Sequence, residues 1–233
     1  KSPFLYSFGL KYVAHANYNW KINVSKNYRI PTFNDLFWTG SGNLNLKPET
    51  SKQIELGQEL DIKNVLISAT TYYYKTENLI QWTPINNIWL PKNVGNVTNY
   101  GFEIFTKIKT HYKKNKLELN TSFAFTKTND DDSNLQLIYV PKQKLTSEIL
   151  YSYKNFMLNY QYLYTGSVFT SPDNLNVLKN YQLTNMGLNY NLKNKNNYNF
   201  GFQILNLWNK NYQTVEARPM PRRHFNLTLN FKF

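Results

Sequence analysis

Apolar and polar residues alternate with a period of two along most of this chain, which is the pattern of β-strands with one apolar face. The last segment shows it most clearly: its odd positions from 225 to 233 are Phe, Leu, Leu, Phe and Phe, and the residues between them are polar or basic. We predict an all-β protein with about eleven strands. The predicted strands cover residues 3–13, 18–28, 50–62, 65–81, 98–110, 116–128, 143–153, 156–167, 180–192, 197–207 and 222–233.

The predicted connections alternate between short and long. Short polar turns are expected at 14–17, 63–64, 110–115, 154–155 and 193–196, and long loops at 29–49, 82–97, 129–142, 168–179 and 208–221. Short turns at one end and long loops at the other are typical of bacterial outer-membrane barrels, whose strands need roughly 9–11 residues to cross the bilayer. A soluble β-sandwich also alternates, but its strands are usually about 5–6 residues long. We therefore predict an antiparallel transmembrane β-barrel wall.

Composition is compatible with a barrel and not with a helical membrane protein. Mean hydropathy is −0.58 and no run approaches the ~18–20 consecutive apolar residues of a membrane helix. A barrel strand shows only every second residue to lipid, so its mean hydropathy stays low. Aromatic residues are frequent, with 19 Tyr, 15 Phe and 5 Trp. Tyr and Trp suit a boundary where one end of the side chain lies in apolar surroundings and the other in water.

The charge is +13, with a pI near 9.6, which suits nucleic acid, anionic lipid or an anionic ligand as a partner. The lysines are scattered through the predicted turns and no nucleic-acid-binding module is recognisable, so we expect no nucleic-acid partner. The chain has no cysteine. His15, His111 and His224 do not form a nucleophile–base–orienter set with their neighbours, so we predict neither catalysis nor a cofactor.

The predicted strands do not account for a closed barrel. Bacterial single-chain barrels have an even number of strands, and an open edge in lipid would leave backbone groups unpaired at several kcal/mol each. The sequence opens at KSPFLYSF without a Met or a signal-peptide pattern, which favours an internal start. We expect further strands outside this sequence and an open edge at residues 222–233.

Several segments, taken in order, resemble the TonB-dependent outer-membrane receptors. Residues 27–57, NYRIPTFNDLFWTGSGNLNLKPETSKQIELG, resemble the family's Arg-x-Pro-Thr stretch followed by Gly-Asn-x-x-Leu-Lys-Pro-Glu. Residues 70–82 and 99–109 are similar to the next ascending strand and to the family's Gly-x-Glu strand. Residues 204–233 resemble an Asn-Leu-x-Asn-x-x-Tyr element and a closing strand, although Arg222 stands where the family usually has Gly.

The resemblance implies the C-terminal half of a 22-stranded barrel, with the plug domain, the TonB box and the first strands absent from residues 1–233. It implies uptake of a scarce bulky nutrient such as cobalamin, a ferric siderophore or haem, driven by TonB–ExbB–ExbD acting on the plug. Expected partners are outer-membrane lipid, lipopolysaccharide, a small metal-complex ligand and a surface lipoprotein. The alternatives are a passive or structural barrel subunit, an outer-membrane enzyme and a soluble β-rich carbohydrate-binding protein.

Candidate functional residues lie mainly in the predicted loops. Ligand contact is predicted for Trp38, Asn43, Trp89 and Arg218, while Trp82 and Trp208 are assigned to an interfacial aromatic belt. Arg222 and Arg223 join Arg218 in a cluster that suits anionic ligands or simple solvation. Asp130, Asp131 and Asp132 form either a Ca²⁺-binding loop or a solvated one, and Arg29 and Glu49 are expected to pair. Phe225, Leu227, Leu229, Phe231 and Phe233 resemble the barrel-assembly signal of the family.

Overall fold

The computed structural model describes residues 3–86, 88–193 and 197–232. Phe233, the last residue of the predicted assembly signal, lies outside the described residues, as does most of the predicted turn at 193–196. No helix within these ranges is long and apolar enough to span a membrane.

The described chain is almost entirely β-structure. Eleven strands form the main sheet and are listed here with their bounds: β1 Tyr6–His15, β2 Tyr18–Arg29, β3 Glu49–Ile62, β4 Val65–Ile85, β5 Ile88–Tyr112, β6 Asn115–Asp130, β7 Gln143–Tyr153, β8 Phe156–Thr165, β11 Tyr181–Lys193, β12 Asn197–Leu205 and β15 His224–Lys232. Two short ribbons lie in loops: β9 Val168–Phe169 with β10 Val177–Leu178, and β13 Gln213–Val215 with β14 Arg218–Pro219. One short helix, α1, spans Phe33–Phe37.

Each strand of the main sheet pairs antiparallel with its neighbours in chain order, from β1 at one edge to β15 at the other. This order confirms the predicted eleven-stranded antiparallel barrel wall. Within the described residues, β15 pairs only with β12, so the edge that was predicted to be open is open. The β7 bounds agree residue for residue with the prediction, and the others differ mainly at strand ends.

The strand register places apolar side chains on one face and polar side chains on the other. In β12 and β15, for example, Phe202 is the partner of Leu227 and Gly201 is the partner of Thr228. Phe225, Leu227, Leu229 and Phe231 are between 50% and 72% exposed, because no protein layer covers the apolar face. On the polar face, side chains of neighbouring strands bond to each other; for example, Lys21 Nζ on β2 lies 2.6 Å from Glu59 Oε2 on β3. Lipid on one face and a polar interior on the other is the arrangement of a membrane barrel.

The prediction of a long loop at 82–97 is wrong. The structure extends β4 to Ile85 and starts β5 at Ile88, and the two strands stay in register up to that pair. Pro84 and Pro91 are accommodated within the ladder as partners of Trp89 and Trp82. The result is a long hairpin that rises beyond the sheet at the long-loop end.

A small apolar core lies where this hairpin meets the 131–142 loop. Val94, Val97 and Leu137 are buried together, with Leu79 and Val140 packed against them. The loop is tied to the strands by backbone bonds, including Leu137 N–H to the Thr128 carbonyl at 3.0 Å. The hairpin is therefore supported by tertiary packing as well as by its own ladder.

Gly101 on β5 sits where a side chain has no room. An added Cβ would collide with the Phe125 carbonyl oxygen and lie 2.7 Å from the Tyr72 hydroxyl oxygen. The absence of a side chain lets the Tyr72 phenol cross the strand and hydrogen-bond Thr126, with 2.6 Å between the two hydroxyl oxygens.

We predict that Gly101→Ala lowers the unfolding free energy by about 1–3 kcal/mol, because backbone or the Tyr72 ring must shift to relieve the overlap. Gly9→Ala is the matched control, since nothing lies within 4 Å of its added Cβ. Thermal unfolding of the purified protein in detergent, followed by far-ultraviolet circular dichroism, measures both. Equal midpoints for the two variants would contradict the prediction.

Candidate ligand-binding site at the long-loop end

The antiparallel order brings all long connections to one end of the sheet. Residues 30–48, the tip of the β4–β5 hairpin, and the segments 131–142, 166–180 and 206–223 all lie there. The described connections at the other end are tight, and Lys63, Lys113 and Lys154 each adopt a left-handed φ between 51° and 54° in them. Loops positioned by a rigid sheet are where binding residues concentrate.

Arg29 and Glu49 are paired as the sequence predicted, at the last rung between β2 and β3. Arg29 Nε lies 2.6 Å from Glu49 Oε1, and its Nη2 lies 2.9 Å from Glu49 Oε2. The same guanidinium donates to the Ile80 carbonyl, and the Glu49 carboxylate accepts the Ile80 N–H. The pair thus joins the base of the 30–48 loop to the hairpin.

Asp35 extends this junction into helix α1. Its Oδ2 accepts from the N–H and the hydroxyl of Thr32, each at 2.8 Å, which forms a capping box with Asp35 N–H donating back to the Thr32 hydroxyl. Its Oδ1 accepts from the Trp82 indole N–H at 2.8 Å. Trp82, which was predicted to belong to an aromatic belt, therefore forms a hydrogen bond that fixes its indole at this junction.

The charges at this junction stabilise each other. The Arg29 guanidinium lies between two carboxylates, with Nε 2.6 Å from Glu49 Oε1 and Nη1 3.8 Å from Asp35 Oδ2. Burial raises the pKa of Asp35, but the hydrogen bonds from Thr32 and Trp82 and the nearby Arg29 charge outweigh it, so the pKa of Asp35 is lowered. Asp35 is only 5% exposed, so its carboxylate depends on these partners.

Two asparagines hold the 30–48 loop against the hairpin. Asn43 donates through Nδ2 to the Pro91 carbonyl at 3.1 Å and accepts the Asn45 N–H at 3.0 Å. Asn93 accepts the Lys47 N–H at 2.8 Å and donates to the Lys47 carbonyl at 2.9 Å. The structure thus gives Asn43, a predicted ligand contact, a role in loop positioning.

Asparagines also shape the later loops. Asn174 exchanges two bonds of 2.9 Å with the backbone of Gln136, which ties the 166–180 and 131–142 segments together. Asn206 is 3% exposed, has a φ of 52°, and exchanges two bonds of 2.8 Å with the backbone of Lys210. Asn209 accepts the Arg223 N–H. The Asn-Leu-x-Asn-x-x-Tyr element therefore acts as a folded turn, since Asn tolerates left-handed φ and bonds locally.

Tyr139 connects three of the long segments. Its ring lies 5.7 Å from the Trp89 ring at the hairpin tip, its N–H donates to the Phe169 carbonyl at 2.9 Å, and its hydroxyl oxygen accepts the Glu216 N–H at 3.4 Å. Its φ is 58°, which is uncommon for a bulky residue and is held by these contacts. The predicted ligand residue Trp89 is thus brought to the centre of the loop cluster.

The other predicted site residues lie apart from the contacts of Tyr139 and Trp89. Trp38 is 56% exposed beside α1, and Arg218 is exposed on the β13–β14 ribbon. Trp208 is 64% exposed. Ligand contact by Trp38, Asn43, Trp89 and Arg218 stays a prediction.

The three consecutive aspartates at the end of β6 and the start of the 131–142 segment have different partners. Asp130 Oδ1 accepts the N–H groups of Asp132 and Ser133, and Asp131 Oδ2 lies 3.5 Å from Lys75 Nζ. Among the residues that the structure describes, no three His, Cys, Asp or Glu side chains form a group that could hold a metal ion. The contacts shown are those of a structured turn.

Two clefts lie between the ends of β7, β8 and β11 and the last long loop, and Tyr139 lines the smaller one. One has a volume of about 300 Å³ and the other about 500 Å³. They share lining residues, namely Leu178, Lys179, Tyr181 and Gln213. No sequence signal pointed to these positions, because the lining comes from segments that are far apart in the chain.

We predict that the junction at Asp35 makes the 30–48 loop acid-sensitive. The folded-state pKa of Asp35 lies below its ordinary value of 3.8, so its stabilisation is complete above that value and is lost as the pH falls through the lowered pKa. Amide hydrogen exchange of Leu36 and Asn43, whose N–H groups bond within this loop, should accelerate in that acid range.

Asp35→Asn should speed the same exchange at neutral pH and reduce its acid dependence. Asp173→Asn is the control, because this carboxylate lies in another loop and also has a lowered pKa. Acid-dependent exchange that persists unchanged in Asp35→Asn would show that another group is responsible.

Comparison with known families gives a match over most of the chain. The model of the family described as TonB dependent receptor-like, beta-barrel, matches residues 1–207. The vitamin B12 transporter BtuB of Photobacterium profundum is 28% identical over 216 residues, which are 91% of this chain and 35% of that protein. The vitamin B12 transporter BtuB of Vibrio vulnificus strain YJ016 is 30% identical over 192 residues, covering 82% of this chain and 30% of that protein.

Solved structures show the same fold at lower identity. The copper transporter OprC superposes with a TM-score of 0.81 at 14% identity, covering 97% of this chain and 39% of that one. The ferric-catecholate import receptor Fiu of E. coli K12, in its closed form, superposes with a TM-score of 0.75 at 21% identity, covering 98% and 35%. The chain therefore spans between 30% and 39% of the length of these relatives.

Proposed function

This chain belongs to the TonB-dependent receptor β-barrel family, and from that premise we propose that it is the C-terminal barrel wall and loop set of an outer-membrane receptor that takes up a scarce, bulky nutrient. The observation that carries the proposal is the combination of an apolar outer face, a polar inner face and long loops gathered at one end. The proposed outer-membrane location is supported by the apolar face, whose exposed Phe, Leu and Tyr side chains suit contact with lipid.

The two edges of the sheet support a larger barrel. Within the described residues, β1 pairs only with β2 and β15 only with β12. In lipid, each unpaired N–H or C=O on these edges would cost several kcal/mol, so both edges require partner strands. We propose that the remaining strands and a plug domain belong to the same receptor, in keeping with the 30% to 35% of each BtuB relative that this chain covers.

The proposed mechanism divides the work between loops and plug. The loops at the long-loop end capture the ligand, and TonB–ExbB–ExbD then acts on the plug with energy from the proton gradient. This chain supplies the wall and the capture surface, and we assign it no catalytic step. Lipid and lipopolysaccharide would contact the apolar face and its loop-side rim, and a surface lipoprotein would be an additional partner at the loops.

The ligand is proposed as a metal complex, with cobalamin, a ferric siderophore and haem as the candidates. Cobalamin is supported by the two BtuB relatives, which are vitamin B12 transporters at 28% and 30% identity. Metal transport more broadly is supported by the similarity in fold to the copper transporter OprC and the ferric-catecholate receptor Fiu.

We predict that cells lacking the full-length receptor lose energy-dependent uptake of one of these complexes. Uptake of radiolabelled cyanocobalamin, ferric siderophores and haem should be compared in the wild type, in the deletion strain and in the wild type treated with a protonophore. Uptake that is lost in the deletion strain and in the treated cells supports the proposal. A flux that the protonophore does not reduce would favour a passive barrel, and no change on deletion would contradict transport of these ligands.

A further inference from the structure

Three of the tight turns at the short-turn end carry a lysine at the same position. Lys63, Lys113 and Lys154 each come directly after the last residue of a strand, and their φ angles are 53°, 54° and 51°. Gly and Asn adopt a left-handed φ far more readily than lysine does. The backbone conformation of these turns therefore does not explain why lysine stands there, and the charge needs an account of its own.

The positive charge of these turns is left uncompensated. All three lysines are exposed, and none of the three turns contains Asp or Glu. Within the described part of the chain, none of the three takes part in a salt bridge. Lys114, also exposed, adds a second cation to the turn between β5 and β6. The short-turn end of β3 to β8 thus presents a row of cations that attracts anions.

Two of these cations are held on the apolar side of the sheet. Lys113 Nζ lies 5.3 Å from the centre of the Tyr112 ring, and Lys154 Nζ lies 5.2 Å from the centre of the Tyr153 ring. Both distances are within the range of cation–π contacts. Tyr112 lies four residues after Ile108 on β5, so its ring points to the apolar face. Each ammonium group keeps N–H donors for a further partner.

The two tyrosines belong to one aromatic row that ends the apolar face. The register pairs Tyr112 with Asn115, Asn115 with Tyr153, and Tyr153 with Phe156, and it continues from Phe156 to Tyr190. Residues paired in this way point to the same face of the sheet. The rings of Phe156 and Tyr190 lie 4.6 Å apart. We call this row, together with the three lysines, the turn-side rim; it consists of Lys63, Tyr112, Lys113, Tyr153, Lys154, Phe156 and Tyr190.

We propose that the turn-side rim binds the phosphate headgroups of anionic phospholipids in the membrane leaflet at the short-turn end. This inference rests on the proposed function, which places the apolar face in lipid. The aromatic row then lies at the boundary between hydrocarbon and headgroups, where such rings concentrate, and the ammonium groups beside it donate to phosphate oxygens. The turns that carry Lys113 and Lys154 are two strands apart, about 10 Å across a sheet, so they face neighbouring headgroups.

The test measures which lipid lies beside the rim. Thr110, exposed on the apolar face two residues before Tyr112, is replaced by cysteine in the full-length receptor and labelled with bimane. This chain has no cysteine of its own, and any cysteine elsewhere in the receptor is replaced by serine. The receptor is reconstituted in dioleoylphosphatidylcholine vesicles that contain a small fraction of nitroxide-labelled phosphatidylglycerol or nitroxide-labelled phosphatidylcholine. The ratio of bimane quenching by the two labelled lipids reports the local preference for an anionic headgroup.

We expect a ratio well above one for the receptor with both lysines, and a decrease as sodium chloride is raised. Lys113→Gln combined with Lys154→Gln should lower the ratio by about half or more, since both lysines that contact the headgroups lose their charge. Lys113→Arg combined with Lys154→Arg should retain it.

The matched control is Lys109→Gln combined with Lys116→Gln. These two exposed lysines lie on the same strands at the same end, but on the polar face, beside Glu118 and His111 in the register. The control removes the same charge from the wrong side of the wall, so its ratio should stay close to that of the unaltered rim. Heat-modifiable gel mobility of each variant confirms that the barrel is folded.

Four results would overturn the lipid-binding rim. They are a ratio of one with the rim intact, an unchanged ratio in the Lys113 and Lys154 glutamine variant, an equal loss in the control, and a loss on adding inorganic phosphate at constant ionic strength. The last would indicate a site for free phosphate instead of a lipid surface. Quenching by both lipids alike refutes the rim alone, whereas quenching by neither would contradict the proposed membrane location as well.

Discussion

The antiparallel backbone ladder is the constraint on which the rest of this structure depends. Every strand of the main sheet pairs with its neighbours in chain order, so the interior strands satisfy their N–H and C=O groups on both sides. In lipid no water is available to replace those bonds, and a sheet is tolerated only when it is continuous and closes on itself. The two-residue side-chain period then assigns each residue to lipid or to the polar interior.

The same ladder decides where the long loops gather. Because successive strands run in opposite directions, all long connections of the described chain emerge at one end and the tight turns at the other. The long segments are held in place by short polar links: Arg29 with Glu49, Asn174 with the backbone of Gln136, and Asn206 with the backbone of Lys210. The proposed capture surface is therefore built from loops that are individually anchored.

Several residues that resemble family motifs prove to be structural. Asp35 caps α1 and accepts a hydrogen bond from the Trp82 indole N–H, while Asn206 folds the turn at the start of the 206–223 segment. Such residues hold the loops in position through hydrogen bonds within this chain.

The sequence alone determined the strands, their order and their apolar side, because alternation is local and repeats along each segment. The bounds of β7 were predicted residue for residue. The pairing of Arg29 with Glu49 followed from their places at the two ends of one loop. Tertiary structure alone decided that residues 82–97 form a hairpin, that Trp82 bonds Asp35, and that Tyr139, Tyr181 and Arg222 share one region. The contacts of Trp82 and of the loop residues join positions that are far apart in the chain, and the hairpin, whose own pairs are local, packs against the distant 131–142 loop. No local period encodes which loops meet above a sheet.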